Sequence, residues 1–242
     1  MAEERKNASI SGAGKLSGGI YDTVKVAGSG KIEGDIDANQ ISTAGACKIE
    51  GNIKAQRMKT AGACKIVGDV QVGELKTAGS CSVEGRVQAE ALESAGAQTV
   101  LKSISAKQVE AAGSFRVGGD VEADRFSAKG SIDIGGLLSA DEVRLELGGR
   151  SKIREIGGER IEVRKLSRGW QLHFIIDLRG GGSSGLEAET IEGDEIHLEA
   201  TRAKVVRGKR VVIGEDCQID RVEYTESLQV DNAAAVKEQV KV

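Results

Sequence analysis

Four cysteines and two histidines are the residues of this chain best suited to metal binding or covalent catalysis. Three of the cysteines, Cys47, Cys64 and Cys81, recur with a 17-residue period and fall at the same position of a repeat. Zinc and redox sites use CxxC pairs or Cys–His clusters, and neither pattern accompanies these cysteines. The same position holds Phe115 and Ile132 in later repeats, which indicates an inward apolar slot where cysteine serves as a small hydrophobic residue. We interpret the three cysteines as a structural ladder.

The other chemically capable residues also lack the surroundings that catalysis needs. His173 and His197 have no nucleophile motif or HExxH zinc motif beside them, so each is interpreted as a strand-face residue. Acidic pairs such as Asp35 and Asp37 resemble catalytic carboxylates, but aromatic residues make up only 2% of the chain and cannot line a carbohydrate groove. The glycine pairs lack the context of a phosphate loop. The sequence therefore predicts a protein that is not an enzyme and uses no metal, cofactor or small-molecule substrate.

The elements that position these residues are seven 17-residue blocks, which run without interruption over residues 27–145. Positions 4 to 12 of a block alternate between apolar and polar residues, which predicts β-strands, and the glycine content disfavours helices. Winding one block per coil would stack each position into a ladder along the axis. We therefore predict an all-β fold, a parallel β-helix. Glycine occupies position 2 of every block, where we expect bends with positive φ or close backbone contacts, as at Gly28, Gly45, Gly62 and Gly79.

The chain organisation follows from where the period holds. We predict a disordered arm over residues 1–10, regular β-helix repeats over 11–145, and irregular coils with a hairpin and a Gly-rich loop over 146–185. Less regular β-coils are expected over 186–227, and a tail over 228–242 is expected to be weakly helical or disordered. In the fifth block, Leu101 and Lys102 depart from the pattern and predict either a local distortion or a contact.

Charged residues suggest two surfaces. Lysines at position 5 and glutamates at position 7 form adjacent ladders. We interpret them as a solvent-exposed face on which the opposite charges compensate each other. The alternative is that this face forms a lateral contact between filaments. A basic run over 150–168 precedes an aromatic segment. This region is interpreted either as a hairpin that caps the solenoid or as a peripheral contact with anionic lipid or a partner. The residues of such a contact would be Arg164, Arg168, Trp170 and Phe174.

The remaining expectations concern location and binding. The net charge of −3 gives no reason to expect nucleic-acid binding. The N-terminus lacks the apolar region of a signal peptide, and no stretch approaches the ~18 apolar residues of a membrane span. We expect a cytoplasmic protein, with peripheral attachment to the inner face of the membrane as an option.

The motif Ile-Glu-Gly-Asp-Ile at residues 32–36 returns in phase as IEGNI, IVGDV and VEGRV. This repeat resembles the bactofilins, the polymer-forming bacterial cytoskeletal proteins, over residues 11–145. A less regular version of the motif occurs at residues 191–196. The resemblance implies a right-handed, three-sided β-helix that joins end to end into nonpolar filaments without nucleotide.

Elementary physics also favours assembly, because the open ends of a solenoid expose unpaired backbone groups over an apolar core. We predict a self-assembling end coil formed by Leu16, Ile20 and Val24, with the chain itself as principal partner and a related paralogue as another. The predicted function is a structural scaffold that forms filaments or dimers and recruits partners. Two alternatives stay open: a carbohydrate-active β-helix enzyme, and a non-polymerising adaptor with capped ends.

Overall fold

The computed structural model describes residues 5–166 and 184–242, and within these ranges it contains eleven strands and no helix. Their bounds are β1 (Lys6–Glu50), β2 (Ile53–Val67), β3 (Val70–Val83), β4 (Val87–Val100), β5 (Ile104–Val117), β6 (Val121–Leu147), β7 (Arg150–Lys165), β8 (Gly185–Leu198), β9 (Thr201–Ile213), β10 (Gln218–Val230) and β11 (Ala235–Lys241).

The described strands belong to one parallel sheet in which hydrogen-bonded neighbours follow chain order from β1 to β11. Ile36 pairs with Ile53, and Ile53 pairs with Val70, so a 17-residue offset separates stacked positions and one block makes one coil. The predicted all-β parallel solenoid is confirmed, while the handedness of its coil stays a prediction. The chain divides into two compact units, Met1–Ala123 and Asp124–Val242.

The first unit has a core of continuous columns, because its register is unbroken from β1 to β5. In the 17-residue blocks of this unit, from residue 27 onward, the aliphatic residues of positions 6, 10 and 15 each fill one column and are at most 2% exposed. The column of position 10, for example, contains Ile36, Ile53, Val70, Val87 and Ile104. A parallel ladder that stacks identical positions therefore converts the sequence period directly into a buried core.

The second unit keeps the columns although its spacing varies. Asp133 pairs with Lys152 at a 19-residue offset, whereas Leu186 pairs with Thr201 at a 15-residue offset. Register shifts between Ile134 and Leu137 and between Tyr224 and Ser227 absorb such differences at bulges. Within this unit the column of position 10 is unbroken, through Leu138, Ile156, Ile191, Val206 and Val222.

The structure changes the predicted boundaries at both ends. β1 begins at Lys6, inside the predicted disordered arm, and Ile10 is only 6% exposed. The predicted tail contains the end of β10 and all of β11, which pairs in parallel with β10. Pairing with an existing sheet edge overrides the weak local helix propensity of this segment.

The middle segments contain further strands of the same sheet. β8, β9 and β10 supply the β-coils predicted for residues 186–227. β7 is one continuous strand, but its offset from β6 changes from 19 to 18 residues at the register shift between Ile134 and Leu137, so this coil is irregular in spacing. The predicted Gly-rich loop lies largely outside the described residues. In the fifth block the register is unbroken and Leu101 N–H donates to Val83 O at 2.9 Å. The block is therefore not distorted, and its Leu101 side chain is 56% exposed.

Candidate functional site

Only part of the predicted end coil is exposed to solvent. Leu16, Ile20 and Val24 belong to the columns of positions 6, 10 and 15. Leu16 is half-buried and Ile20 is 50% exposed, but Val24 is 0% exposed. Residues 6–10 belong to β1, and Ile10 packs near Val26, since both side chains border the point where a Cβ on Gly30 would lie, at 3.3 Å and 2.4 Å. The candidate assembly site of the first unit therefore consists of Leu16 and Ile20, with Val24 as a core residue beneath.

A polar network fixes the backbone around Ile20. The Arg5 guanidinium donates to Tyr21 O at 3.2 Å and to Asp37 Oδ1 at 2.9 Å. The Tyr21 hydroxyl donates to Ser17 O at 2.8 Å. These bonds connect the start of β1 to the next two coils, so the apolar surface of Ile20 is held in a defined place.

A second apolar end was missed in the sequence. β11 pairs with residues 218–224 of β10, while Leu228 and Val230 pair with β9. Both side chains are half-buried, although Val211 and Ile213, their neighbours in β9, are at most 1% exposed. The available signal was the continuation of the apolar columns into the predicted tail.

The position-2 glycines lie at bends, as the sequence led us to expect. Gly28, Gly45, Gly62 and Gly79 have φ between 108° and 112°. A Cβ on Gly45, Gly62 or Gly79 would lie 2.4 Å from the carbonyl oxygen of the glycine one coil earlier. These bends are therefore both left-handed in backbone conformation and too close to the preceding coil for a side chain.

The cysteine ladder is present and buried. Cys47, Cys64 and Cys81 pair in register, have free thiols, and are 2–5% exposed. Contact with the thiols of Cys47 and Cys81, together with burial, raises the pKa of Cys64. Within the described ranges, no group of three or more His, Cys, Asp or Glu residues is arranged to hold a metal ion. The thiols therefore sit as packed side chains in a core column.

Cys217 is a similar buried thiol, and burial raises its pKa to about 11. Its Sγ donates to Leu198 O at 3.3 Å. His197 Nε2 lies 3.8 Å from a carboxylate oxygen of Glu199.

Beside the cysteine column lies a buried polar column that sequence reasoning did not identify. Thr77 Oγ1 lies 3.1 Å from Ser94 Oγ and 3.1 Å from Gln98 Oε1. Gln98 is 1% exposed, and its Nε2 has no hydrogen-bond partner within the described part of the chain. The buried polar column is formed by position 17 of the repeat, and Gln98 contacts it from the neighbouring cysteine column. The sequence pattern that could have identified it is the recurrence of small hydroxyl residues at position 17: Thr43, Thr60, Thr77 and Ser94.

The lysine and glutamate ladders compensate each other. Lys31 Nζ lies 2.7 Å from Glu33 and 2.9 Å from Glu50 of the next coil. Lys48 lies 2.5 Å from Glu50. Hydrogen bonds from Lys48 and Lys31 lower the pKa of Glu50 to about 2. These contacts support the interpretation of a solvated, charge-compensated face.

The predicted lipid or partner contact can be placed only in part. Arg164 is exposed and forms an ion pair with Glu162, and Arg168, Trp170, His173 and Phe174 lie outside the described residues. Within residues 5–166 and 184–242, no helix has the length and apolar character needed to cross a membrane.

Comparison with known proteins shows that part of the chain is similar to a known family. Residues 3–88 match the family model of the bactofilins, described as polymer-forming cytoskeletal. The bactofilin resemblance inferred from the repeat is therefore confirmed for this segment, which lies inside the first unit.

Two curated proteins of Bacillus subtilis (strain 168) are similar to this chain. The uncharacterized protein YhbF is 38% identical over 92 residues, and the uncharacterized protein YhbE is 42% identical over 94 residues. The matches cover 38% and 39% of this chain but only 35% and 38% of those proteins. The chain thus spans little more than a third of the length of the curated relatives it matches. No solved structure matches the chain.

Proposed function

We propose that this protein is a non-enzymatic structural scaffold that self-assembles end to end, without nucleotide, into filaments or dimers and recruits partner proteins. The observation that carries the proposal is the termination of two core columns at a surface, in Leu16 and the 50% exposed Ile20. The bactofilin match of residues 3–88, with its polymer-forming description, supports the same role. Action in the bacterial cytoplasm, with a related paralogue among the partners, belongs to this proposal.

The driving force would combine two terms. β1 is the first strand in the order of the described sheet, so its outer edge can accept backbone hydrogen bonds from another strand. Removing apolar surface from water contributes about 25 cal/mol per Å², or roughly 1.5–3 kcal/mol for a large aliphatic side chain that becomes fully buried. Leu16 and Ile20 lie on adjacent columns and would be buried together by one stacked coil.

The test is to place a charge in this surface. The Ile20→Glu variant is expected to lower the sedimentation coefficient to that of the monomer and to remove ordered assemblies from negative-stain images recorded without nucleotide. Ala97→Glu is the matched control, because Ala97 is an exposed apolar residue that lies in an inner block. Assembly of Ile20→Glu equal to that of the wild type would overturn the proposed interface.

The enzyme alternative receives less support from the geometry. Asp35 Oδ1 accepts the backbone N–H of Asn52 at 2.7 Å, and Asp37 is paired with Arg5 at 2.9 Å. Both carboxylates border a groove of about 800 Å³ in the first unit, yet both have structural partners. The adaptor alternative predicts a wild-type protein that stays monomeric at every concentration, which the same sedimentation series measures.

A further inference from the structure

We infer that the cysteine column is an oxidation site, in which a hydroperoxide converts Cys64 and one of its two neighbours, Cys47 or Cys81, into a disulfide. The bond would join two adjacent coils through the core of the first unit. All three cysteines lie within that unit, so the inference does not depend on how the protein assembles.

The backbone holds the three cysteines at the spacing that a disulfide needs. Cys47 pairs with Cys64, and Cys64 pairs with Cys81, in unbroken parallel registers. Neighbouring strands lie about 4.8 Å apart, which falls within the range of roughly 4.4–6.8 Å between the Cα atoms of a disulfide. Cys47 and Cys81 are separated by twice that spacing, so they are too distant for a direct bond. Every disulfide within the column must therefore include Cys64.

The side chains of the column already contact each other. All three are buried, at 5%, 5% and 2% exposure, and all three thiols are free. The Cys64 thiol contacts the thiols of both Cys47 and Cys81. A disulfide would replace one of these contacts without any change of strand register.

A buried amide continues the column beyond Cys81. Gln98 pairs with Cys81 in the next coil and is 1% exposed. Its Oε1 lies 3.1 Å from Thr77 Oγ1. Its Nε2 lies beside the Cys81 thiol and has no oxygen or nitrogen acceptor within the described residues. A thiolate at Cys81 would give this amide the charged acceptor that the reduced core does not supply.

The three thiols differ in how readily they ionise. Contact with Cys64 lowers the pKa of both Cys47 and Cys81, and the Gln98 amide lowers that of Cys81 further. Contact with its two neighbours, together with burial, raises the pKa of Cys64. Because the thiolate is the form that attacks an oxidant, an outer cysteine reacts first and Cys64 completes the bond.

A small oxidant has a short path to the column. The residue before each cysteine, namely Ala46, Ala63 or Ser80, is exposed. The thiols thus lie directly beneath the bends of the coil rather than at its centre. Hydrogen peroxide, which is close to water in size, is the oxidant that suits this path.

The reaction with hydrogen peroxide is balanced. The outer sulfur attacks one peroxide oxygen, the O–O bond breaks, and the departing hydroxide leaves as water with the proton of that thiol. The Cys64 sulfur then attacks the resulting sulfenic acid, and the S–S bond forms as the S–O bond breaks. The second hydroxide leaves as water with the Cys64 proton. The two thiols lose two electrons and two protons, and the peroxide is reduced to two molecules of water.

The experiment treats the folded, full-length protein with hydrogen peroxide and then counts its thiols after quenching and unfolding. The wild type is expected to fall from four thiols to two. Cys47→Ser and Cys81→Ser are matched controls that should each still lose two thiols, because Cys64 keeps one neighbour. Cys64→Ser should form no disulfide. Circular dichroism verifies that each variant is folded.

Peptide mapping identifies the bond, because trypsin cleaves after Lys48, Lys59, Lys65 and Lys76 and so separates the three cysteines. A cross-linked peptide pair that contains Cys64 is expected from the oxidised wild type. The urea midpoint of the oxidised wild type should also rise, since a cross-link restricts the unfolded chain.

Three results would overturn the inference: a wild type that keeps four thiols, a disulfide in Cys64→Ser, or a cross-link that contains Cys217. A bond between two copies of the chain, visible as a dimer on a non-reducing gel, would overturn it as well. If Cys64→Ser fails to fold, Cys64→Ala provides the same comparison, and the peptide map of the wild type needs no variant.

Discussion

The backbone N–H of Asn52 donates a hydrogen bond of 2.7 Å to Oδ1 of Asp35, the residue at the same position of the preceding coil. The contact repeats in the next two coils, from Asp69 N–H to Asn52 Oδ1 at 2.9 Å and from Arg86 N–H to Asp69 Oδ1 at 2.8 Å. It occurs at a corner where the strands are interrupted, so a side chain takes the place of the backbone ladder. This gives a structural reason for Asp or Asn in the repeated motif.

The corner ladder predicts a measurable loss of stability. Asn52→Ala removes the acceptor of the Asp69 N–H and is expected to lower the free energy of unfolding by about 1 kcal/mol. Urea unfolding at neutral pH measures this difference. Gln56→Ala is the control, since Gln56 is an exposed residue of the same coil. Equal midpoints for the two variants would show that water satisfies this N–H without cost.

The bend glycines predict a larger effect. Gly62 has φ of 110°, and an added Cβ would lie 2.4 Å from Gly45 O. Gly62→Ala is expected to cost at least about 2 kcal/mol, because a left-handed conformation alone costs a side chain roughly 1–2 kcal/mol and the contact adds to it. Thermal unfolding of Gly62→Ala is compared with that of Ala61→Ser, a change at the exposed neighbouring position. A melting temperature equal to the control's would contradict the close contact.

The charge ladder predicts a specific dependence of stability on pH. Hydrogen bonds from Lys48 and Lys31 lower the pKa of Glu50 from 4.5 to about 2 in the folded protein. A depressed carboxyl pKa stabilises the fold above the unfolded value and loses this contribution as pH falls through the folded value. Stability should therefore decline between about pH 4.5 and pH 2.

The variant Glu50→Gln should flatten this decline, and added salt should weaken it because the pairs are partly exposed. Urea midpoints measured across the acid range give the comparison. Glu90→Gln is the control, since Glu90 is exposed and lies 3.3 Å from its partner Lys107. An acid profile of Glu50→Gln that overlays the wild type would refute the role of this pair.

The buried amide of Gln98 predicts a stabilising substitution. Its column neighbours are Cys81 and Phe115, and within the described residues its Nε2 has no oxygen or nitrogen acceptor, with only the weakly accepting Cys81 thiol beside it. Gln98→Met is expected to raise the free energy of unfolding by about 1 kcal/mol, since a buried unsatisfied donor is removed at similar volume. Urea unfolding tests this, with Gln88→Met at an exposed position of the preceding coil as control. A destabilised Gln98→Met would mean that its contact with Thr77 outweighs the unsatisfied donor.

The sequence alone determined the strand type, the coil length and the core columns. Period-two alternation and a strict 17-residue period assign Ile32, Ile49 and Ile66 to the same column, and the structure buries all three at 0% exposure. The prediction succeeds because a parallel solenoid stacks each residue on the residue at the same position of the next repeat. The sequence period therefore directly predicts the tertiary contacts. The cysteine ladder followed from the same argument.

Only the tertiary structure decided what happens where the repeat stops or a side chain meets a neighbouring coil. Val24 looks like Leu16 in the repeat, yet Val24 is 0% exposed while Leu16 is only half-buried. The predicted tail becomes β11 because an open strand edge is available to it. Burial at an end depends on which other segment lies over it, and hydrogen bonds such as Asn52 to Asp35 depend on coil-to-coil distance. The local residue pattern predicts neither the covering segment nor the coil-to-coil distance. The structure of the ends, where we propose that the function lies, therefore follows only from the tertiary fold.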